Sequence, residues 1–315
     1  MGFFASLINS MPSAVAQGLI WGIMAIGVYL TYRILDVADL TVDGSLGTGG
    51  AVCVVMVLNG APVGLALLAA TAAGMLAGLV TGLFHTACGI PAILAGILTQ
   101  LALYSVNLRI MGFGTGGGKA NLPISVDKYS LLVSARYVRN MALNNPILIL
   151  AVFCAVLIAV LYWFFGTELG CSLRATGANQ NMARAQGINT NVTTVLGLMI
   201  SNGLVALAGG LLAQYQGFSD INMGRGAIVI GLAAVIIGEV IFSRIFRNFA
   251  LKLLSAVIGA IIYYIVMVFV LRLGLSTDDL KLLTALVVAL FLTIPYWKGK
   301  YFTKTSVKKG EKNHA

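Results

Sequence analysis

The most constraining feature of the sequence is an uncharged stretch in its first half. No aspartate, glutamate, lysine or arginine occurs between Asp43 and Arg109. Because one crossing of a bilayer needs about 20 apolar residues, this stretch alone is long enough for about three crossings. Only 10% of the 315 residues are charged, whereas soluble domains carry about 25%. The chain is therefore predicted to be an integral membrane protein, which excludes water-soluble enzymes, DNA-binding modules and disordered tails.

Apolar runs along the chain predict an all-α, polytopic bundle of transmembrane helices with about 8–10 crossings. The candidate crossings are 12–33, 45–60, 62–84, 91–111, 146–165, 192–215, 227–243, 253–271 and 281–297. Several of these runs are short, and a short run rich in glycine is more typical of a broken or re-entrant helix than of a straight span. We expect a single transmembrane domain over residues 1–297.

The basic residues predict the orientation. The net charge is +10, and six lysines lie in the tail 298–315, which is typical of a cytoplasmic anchor rather than of a nucleic-acid-binding patch. Placing the N-terminus outside also puts the polar loop 166–191 inside. The long loop 112–145 then lies outside, and residues 128–143 within it have the composition of a surface helix. We expect a multi-pass protein of the cell membrane with a cytoplasmic C-terminus.

No pattern of residues indicates catalysis or metal binding. His85 is the only histidine outside the tail, and no second ligand stands at helical spacing from it. The glycines of 112–117 match a nucleotide-binding pattern, but no strand precedes them and Ala120 stands where a phosphate loop needs serine or threonine. We expect no catalytic residue, metal or cofactor in this chain. The chain has no ATPase motif of its own, so any energy that it uses must come from an ion gradient or from another subunit.

Two clusters of polar residues are candidates for a substrate path. Three aspartates lie between residues 36 and 43, directly before a glycine-rich apolar run. A half-helix that begins inside the membrane leaves free N–H donors, which carboxylates and hydroxyls can cap. An ordinary cytoplasmic loop with a helix cap explains this cluster equally well. Glu239, by contrast, is close in sequence to Arg244, and we expect a structural ion pair there.

The second cluster lies on one face of a predicted helix. Gln100, Tyr104 and Asn107 are spaced i, i+4 and i+7, and we expect this face to look into the bundle because facing lipid is costly. It either lines a substrate path or forms hydrogen bonds to neighbouring helices. The candidate substrate-path residues of both clusters are Asp39, Thr41, Asp43, Gly44, Ser45, Gln100, Tyr104 and Asn107.

The inner loop carries a resemblance to a known family. Residues 167–170, 174–179 and 183–189 closely resemble the cytoplasmic signature of ABC-importer permeases of the ribose and branched-chain amino-acid type. Residues 39–45 are similar to the family's Asp-Leu-Ser-Val-Gly-Ser stretch, with Asp43 as an extra residue before the glycine. The segments 82–86, 93–99 and 101–112 look closest to the tryptophan-type branch of these permeases.

The resemblance implies a type II-like importer fold in which the inner loop is the coupling element that inserts into an ATPase subunit. The residues implied to couple to the ATPase are Gly170, Arg174, Ala175, Gly177, Asn179, Ala183, Arg184, Gly187 and Asn189. ATP would be bound by that partner, not by this chain. The other implied partners are a substrate-binding protein outside and a second permease copy, giving a homodimer in the lipid bilayer.

The resemblance therefore implies import of a small polar nutrient, with an aromatic or branched-chain amino acid as the first candidate. One alternative is a permease of the same class that carries a sugar or a nucleoside. Another is a secondary transporter driven by an ion gradient, which would need carboxylates or histidines in mid-span. A membrane enzyme would need paired acid, base or metal groups, and the sequence offers none.

Overall fold

The computed structural model describes residues 3–113, 117–125, 128–129, 131–138, 145–242, 246 and 248–272, with 282, 285–286, 288–290 and 293 near the C-terminus. The basic tail 298–315 and most of the predicted crossing 281–297 lie outside the described residues. The helices are α1 (Phe3–Tyr29, continued by a π-helical turn, Leu30–Leu35), α2 (Val42–Leu58), α3 (Val63–Thr86), α4 (Ala92–Met111), α5 (Pro146–Phe165), α6 (Glu168–Ala178), α7 (Gln180–Ala185), α8 (Thr190–Gln216), α9 (Ala227–Phe242) and α10 (Phe249–Arg272).

The predicted all-α membrane bundle is confirmed. Within the described residues six helices are long and apolar enough to cross a membrane: α1 with its π-helical turn, α3, α4, α5, α8 and α10. Two further apolar helices, α2 with 17 residues and α9 with 16, are shorter. These eight helices correspond to the first eight predicted crossings, and the two short ones fall on the runs 45–60 and 227–243.

Helix α8 forms the centre of the bundle and packs against α1, α2 and α3. The helices approach closely because small residues face one another. A Cβ added to Gly49 of α2 would overlap the carbonyl of Ala206 in α8, and one added to Gly209 would overlap the carbonyl of Leu46. Inside a membrane, such van der Waals packing of small residues replaces the hydrophobic effect as the force between helices. Helices α9 and α10 complete the bundle on the far side of α1.

The chain turns into the bundle after α1. The π-helical turn ends at Asp36, whose φ of 53° lies in the left-handed region. Aspartate tolerates this region better than most residues. The backbone N–H groups of Asp36 and Val37 both donate to the carbonyl of Thr31. The turn therefore directs the following residues inward, and α2 begins beside the middle of α8 rather than at its end.

At the opposite end of the bundle, two short strands join distant parts of the chain. Strands β1 (Asn121–Pro123) and β2 (Phe218–Asp220) pair antiparallel. The surface helix expected over 128–143 is wrong for the described residues, which contain only a 3-10 turn, Ala135–Tyr137. Val133 and Val138 are buried in the core there, and the N–H of Leu132 donates to Gln214 of α8. Packing of this segment onto the bundle overrides its helical composition.

Candidate translocation site and coupling surface

The entry to α2 contains a buried network of hydrogen bonds. Asp39 is 3% exposed and Asn202, in the middle of α8, is fully buried. The Asn202 amide donates to Oδ2 of Asp39 over 2.6 Å, and its carbonyl accepts from the Ser45 hydroxyl over 2.6 Å. The N–H of Thr41 donates to Oδ1 of Asp39 over 2.9 Å. The carboxylate is therefore satisfied by the chain itself and fixes the start of α2 against α8.

A line of threonines extends this network across two more helices. The hydroxyl of Thr41 lies 2.7 Å from that of Thr81 in α3, which donates to Thr99 in α4 over 2.9 Å. All three residues are buried. Three of the predicted substrate-path residues, Asp39, Thr41 and Ser45, thus hold helices together and do not line the cavity described below.

Asp43 links the starts of two short helices. Although it lies in the first turn of α2, its carboxylate accepts hydrogen bonds from the N–H groups of Gly226 and Ile228, each over 2.9 Å. Gly226 directly precedes α9 and Ile228 lies in its first turn, where unsatisfied N–H groups and the helix dipole favour a negative charge. Both α2 and α9 therefore begin inside the bundle at the same carboxylate. Two short helices that start at one carboxylate fit the broken-helix interpretation of the aspartate cluster, which stays a prediction.

A cavity of about 300 Å³ opens beside this junction. Five predicted substrate-path residues line it, namely Asp43, Gly44, Gln100, Tyr104 and Asn107. Arg225, from the segment before α9, also lines it, together with Leu101 and Ile221. The cavity thus brings together a carboxylate, a guanidinium group, two amides and a phenol, which can form hydrogen bonds with a small polar or zwitterionic solute.

The polar face of α4 borders this cavity and is only partly covered. Asn107 is 2% exposed, Gln100 is half-buried and Tyr104 is 43% exposed. The expectation that the whole face looks into the bundle is therefore wrong at Tyr104, where α4 lies at the surface of the single chain. The amide of Asn107 donates to the carbonyl of Gly44 over 3.5 Å, but its Oδ1 has no hydrogen-bond partner although it is buried. A buried acceptor of a cavity-lining residue is thus left without a partner.

The loop 166–191 folds into two short helices at one end of the bundle. Asparagine and threonine side chains cap them: Thr167 accepts from the N–H of Gly170, and Asn179 accepts from the N–H of Met182. Asn189 likewise caps α8 by accepting from Asn191 and Val192. Gly187 has a φ of +81°, which side-chain-bearing residues rarely adopt. These local features make α6 and α7 a well-defined projection.

Helix α6 is fixed to four neighbouring elements. A Cβ on Gly177 would overlap the carbonyl of Ile34 at the end of α1, and one on Gly170 would overlap Phe165. Thr176 shares a 2.8 Å hydrogen bond with Thr193 of α8. The guanidinium of Arg174 lies 4.4 Å from the ring centre of Phe249 in α10 and 5.4 Å from that of Phe165 in α5. A displacement of α6 would therefore act on α1, α5, α8 and α10 together.

The nine predicted coupling residues divide into internal and exposed groups. Gly170 and Ala183 are buried, and Gly177 and Ala175 are half-buried against the chain's own helices. The exposed members are Arg174, Asn179, Arg184, Gly187 and Asn189. The Nε of Arg184 donates to Thr190 over 2.8 Å. Contact with an ATPase stays a prediction for all nine residues.

Several residues of these sites were not predicted from the sequence. Neither Asn202 nor Arg225 is among the predicted site residues. Met182, which is 50% exposed on α7, was not singled out. The Glu239 ion pair is real, but its partner is Arg33, with 3.1 Å between Nε and Oε1. Arg244 lies outside the described residues. Only the tertiary fold brings α1 next to α9.

Comparison with known proteins identifies the family. Residues 10–294 match the family described as "Branched-chain amino acid transport system / permease component". The chain is 41% identical over 284 residues to a tyrosine transport system permease protein of Clostridioides difficile (strain R20291), with 90% of each chain covered. It is 37% identical over 289 residues to an uncharacterized protein of Rickettsia prowazekii (strain Madrid E), with 90% of this chain and 97% of the relative covered.

More distant similarities point to the same class and fold. The autoinducer 2 import system permease protein LsrC of Salmonella paratyphi B (strain ATCC BAA-1250 / SPB7) is 28% identical over 74% of this chain and 64% of its own length. Among solved structures, PsaBC from Streptococcus pneumoniae in complex with Fab contains a chain with a TM-score of 0.51 and 16% identity, over 95% of this chain and 98% of the other. This likeness supports the fold alone. The protein is therefore a multi-pass member of the branched-chain amino acid transport permease family.

Proposed function

We propose that this chain is the permease subunit of an ABC importer for an aromatic amino acid of the tyrosine type. The family gives the permease role, and the relative named as a tyrosine transport permease supports the substrate class. Transport is driven by separate ATPase subunits that bind ATP. A binding protein delivers the substrate outside and docks partly on the 112–145 loop. In this orientation the α6–α7 end and the basic tail are cytoplasmic.

One observation carries the coupling role, namely the way α6 is fixed to α1, α5, α8 and α10. An element that transmits the closure of an ATPase needs an exposed surface for the partner and a rigid connection to the spans. The exposed surface here contains Met182, Arg184 and the apolar Leu169 and Val192, each of the last two 60% exposed. The rigid connection runs through the hydrogen bond between Thr176 and Thr193 into α8. It also reaches the start of α2, because Asn202 of α8 is hydrogen-bonded there to Asp39 and Ser45.

The cavity beside Asp43 is proposed as part of the substrate path. An amino acid carries a carboxylate and an ammonium group, and the cavity offers complementary groups to both. The Arg225 guanidinium can pair with a carboxylate, and the unpartnered Oδ1 of Asn107 can accept from an ammonium group. Because Asp43 already caps α9, we assign it a positioning role. Asp39, Thr41 and Ser45 support the path indirectly by fixing α2.

A second copy of the chain is proposed to cover the open side of α4. Tyr104, Ser105 and Arg109 are exposed on this helix, and polar side chains facing lipid are costly. A twofold arrangement that places α4 of one copy opposite α4 of the other encloses the cavity between them. The substrate path then runs along the dimer axis, and the homodimer is the transporting unit together with its two ATPases.

The function is tested by uptake of radiolabelled tyrosine into cells that express the permease with its binding protein and ATPase. With an ionophore collapsing ion gradients while ATP is maintained, uptake is expected to continue. Loss of uptake under these conditions would support a gradient-driven carrier instead. An excess of unlabelled phenylalanine or tryptophan is expected to compete. Competition only by a sugar or a nucleoside would overturn the substrate class.

The coupling surface is tested by co-purification of the ATPase with the tagged permease. Arg184→Glu and, separately, Met182→Glu are expected to remove the ATPase while the thermal stability of the spans is unchanged. Met182→Glu is the cleaner variant, because Arg184 also donates to Thr190. Lys119→Glu, exposed at the opposite end of the bundle and outside the α4 face, is the matched control. Normal ATPase association in both test variants would contradict the coupling role.

A further inference from the structure

A basic cleft lies at the α6–α7 end of the bundle, outside the proposed substrate path. It has a volume of about 410 Å³ and is lined by Arg33, Arg174 and Lys252, with Tyr29 and Phe249 in its walls. The three cations come from the end of α1, from α6 and from the first turn of α10. Residues so far apart in sequence meet here only because α6 packs between the two spans.

Neighbouring side chains hold two of the three cations, Arg174 and Arg33, in place, and all three cations are exposed to solvent. The Arg174 guanidinium stacks on Phe249 and Phe165 at 4.4 and 5.4 Å from the ring centres, an attraction between a cation and an aromatic face. Arg33 is paired with Glu239. Among the described residues that line or pair across the cleft there are thus three positive charges and one negative charge. The surplus of positive charge makes the cleft a site for an anion.

The depth of the cleft is that of lipid head groups. Arg33 lies in the last turn of the span Asn9–Leu35, and Lys252 lies in the first turn of the span Phe249–Leu271. The span Pro146–Phe165 ends at the same level, and its Trp163 is 72% exposed. Exposed tryptophan at the end of a span is typical of the membrane interface. The cleft therefore opens where apolar spans give way to water on one side of the bundle.

We propose that this cleft binds the phosphate of an anionic phospholipid such as phosphatidylglycerol. Basic pockets between transmembrane helices on the cytoplasmic side recognise such head groups. The acyl chains lie along the apolar surfaces of the spans, and the phosphate bridges Arg174 of α6 to Arg33 and Lys252. A lipid in this position connects the coupling element to α1 and α10. The assignment to the cytoplasmic leaflet rests on the proposed function, but binding itself does not.

The test is native mass spectrometry of the purified permease titrated with phosphatidylglycerol and, in parallel, with phosphatidylcholine. The wild-type chain is expected to retain phosphatidylglycerol preferentially. Lys252→Gln and Arg174→Gln are each expected to lower its affinity about fivefold, the effect of one basic residue near a membrane surface. Glu239→Gln is expected to raise the affinity, because it removes the competing negative charge. Arg184→Gln, exposed at the same end but outside the cleft, is the matched control and should bind like the wild type.

The outcomes of this lipid titration can be interpreted without measuring transport. Equal retention of both lipids, or equal loss in the Arg184→Gln control, would overturn the proposal. Displacement of phosphatidylglycerol by millimolar inorganic phosphate would assign the cleft to a free anion and would also overturn it. Since Arg174 contributes to packing, the thermal stability of each variant is measured alongside. If Arg174→Gln is unstable, the other two variants test the proposal. Lys252→Gln should lower the affinity for phosphatidylglycerol, and Glu239→Gln should raise it.

Discussion

Helices α4 and α5 are equally exposed in the single chain, yet they differ in what they expose. In each helix only 22% of the spanning window is buried. Helix α5 is the most apolar of the six candidate spans, and α4 is the least. The exposed face of α5 carries Val152, Val156 and Val160, whereas that of α4 mixes apolar residues such as Leu98 and Leu101 with the polar Tyr104 and Ser105.

The difference indicates that a residue exposed on a single membrane-protein chain can face either the lipid or a region that another subunit or water fills. An apolar exposed face is already in its final solvent when it faces lipid. Exposed polar side chains are not stable against lipid, because hydrocarbon offers no hydrogen-bond partners. We therefore assign α5 to the lipid and α4 to a water-filled path shared with a second copy. The cavity beside Asp43 opens on the α4 side, as this assignment requires.

The largest effect is expected from a matched pair of arginine substitutions. Val156 and Leu101 lie near the centres of α5 and α4 and are 57% and 65% exposed. If α5 faces lipid, Val156→Arg costs about 2.5–3.5 kcal/mol of insertion free energy. Leu101→Arg should cost much less, because the side chain reaches water. The measurement is the yield of membrane-inserted protein and its thermal stability, and equal losses for the two variants would remove the distinction between the helices.

A second effect is expected from Asn107 at the wall of the cavity. Asn107→Leu removes the unpartnered acceptor, and a hydrogen bond to a charged group contributes about 1.5–3 kcal/mol. Tyrosine uptake at low substrate concentration should therefore fall by roughly 10- to 150-fold, while ATPase association and thermal stability are unchanged.

The conservative variant Asn107→Ser keeps a hydroxyl acceptor and should recover part of the uptake. A fall in stability or in ATPase association that matches the loss of uptake would instead indicate a purely structural role for Asn107. Full uptake in Asn107→Leu would remove this residue from the path.

A smaller effect is expected in thiol labelling. In a background with the exposed Cys88 and Cys171 changed to serine, Gln100→Cys should react with a charged, water-soluble thiol reagent, because a thiolate forms only in contact with water. Val156→Cys should stay unlabelled. Tyrosine delivered by the binding protein should slow the reaction at position 100 by a few-fold. Labelling of both positions at equal rates would show that the two faces share one environment.

The sequence predicted the local features of the fold well. The uncharged runs anticipated the eight apolar helices, and α5 coincides with the predicted run 146–165. The loop 166–191 forms the short capped helices that its polar residues and glycines favour. Spacing alone placed Gln100, Tyr104 and Asn107 on one face, and the structure brings all three to one cavity.

What the sequence missed depends on contacts between distant segments. Asp43 looks like a cap of its own helix, but it caps α9, more than 180 residues later. The carboxylate of Asp39 belongs to a static network, because Asn202 satisfies it from α8. Glu239 pairs with Arg33, more than 200 residues earlier in the chain. None of these partners can be chosen by spacing, since each depends on how α1, α8 and α9 pack.

In the proposed homodimer α4, and not α5, faces the second copy across the substrate path. Single cysteines at Leu101, Tyr104 and Ser105 of α4, and at Val152 and Val156 of α5, test it by oxidative cross-linking in native membranes, in the background without Cys88 and Cys171. Disulfide-linked dimers are expected from at least one α4 position and from none of the α5 positions. Dimers from α5 alone, in complexes that retain their ATPase, would contradict it.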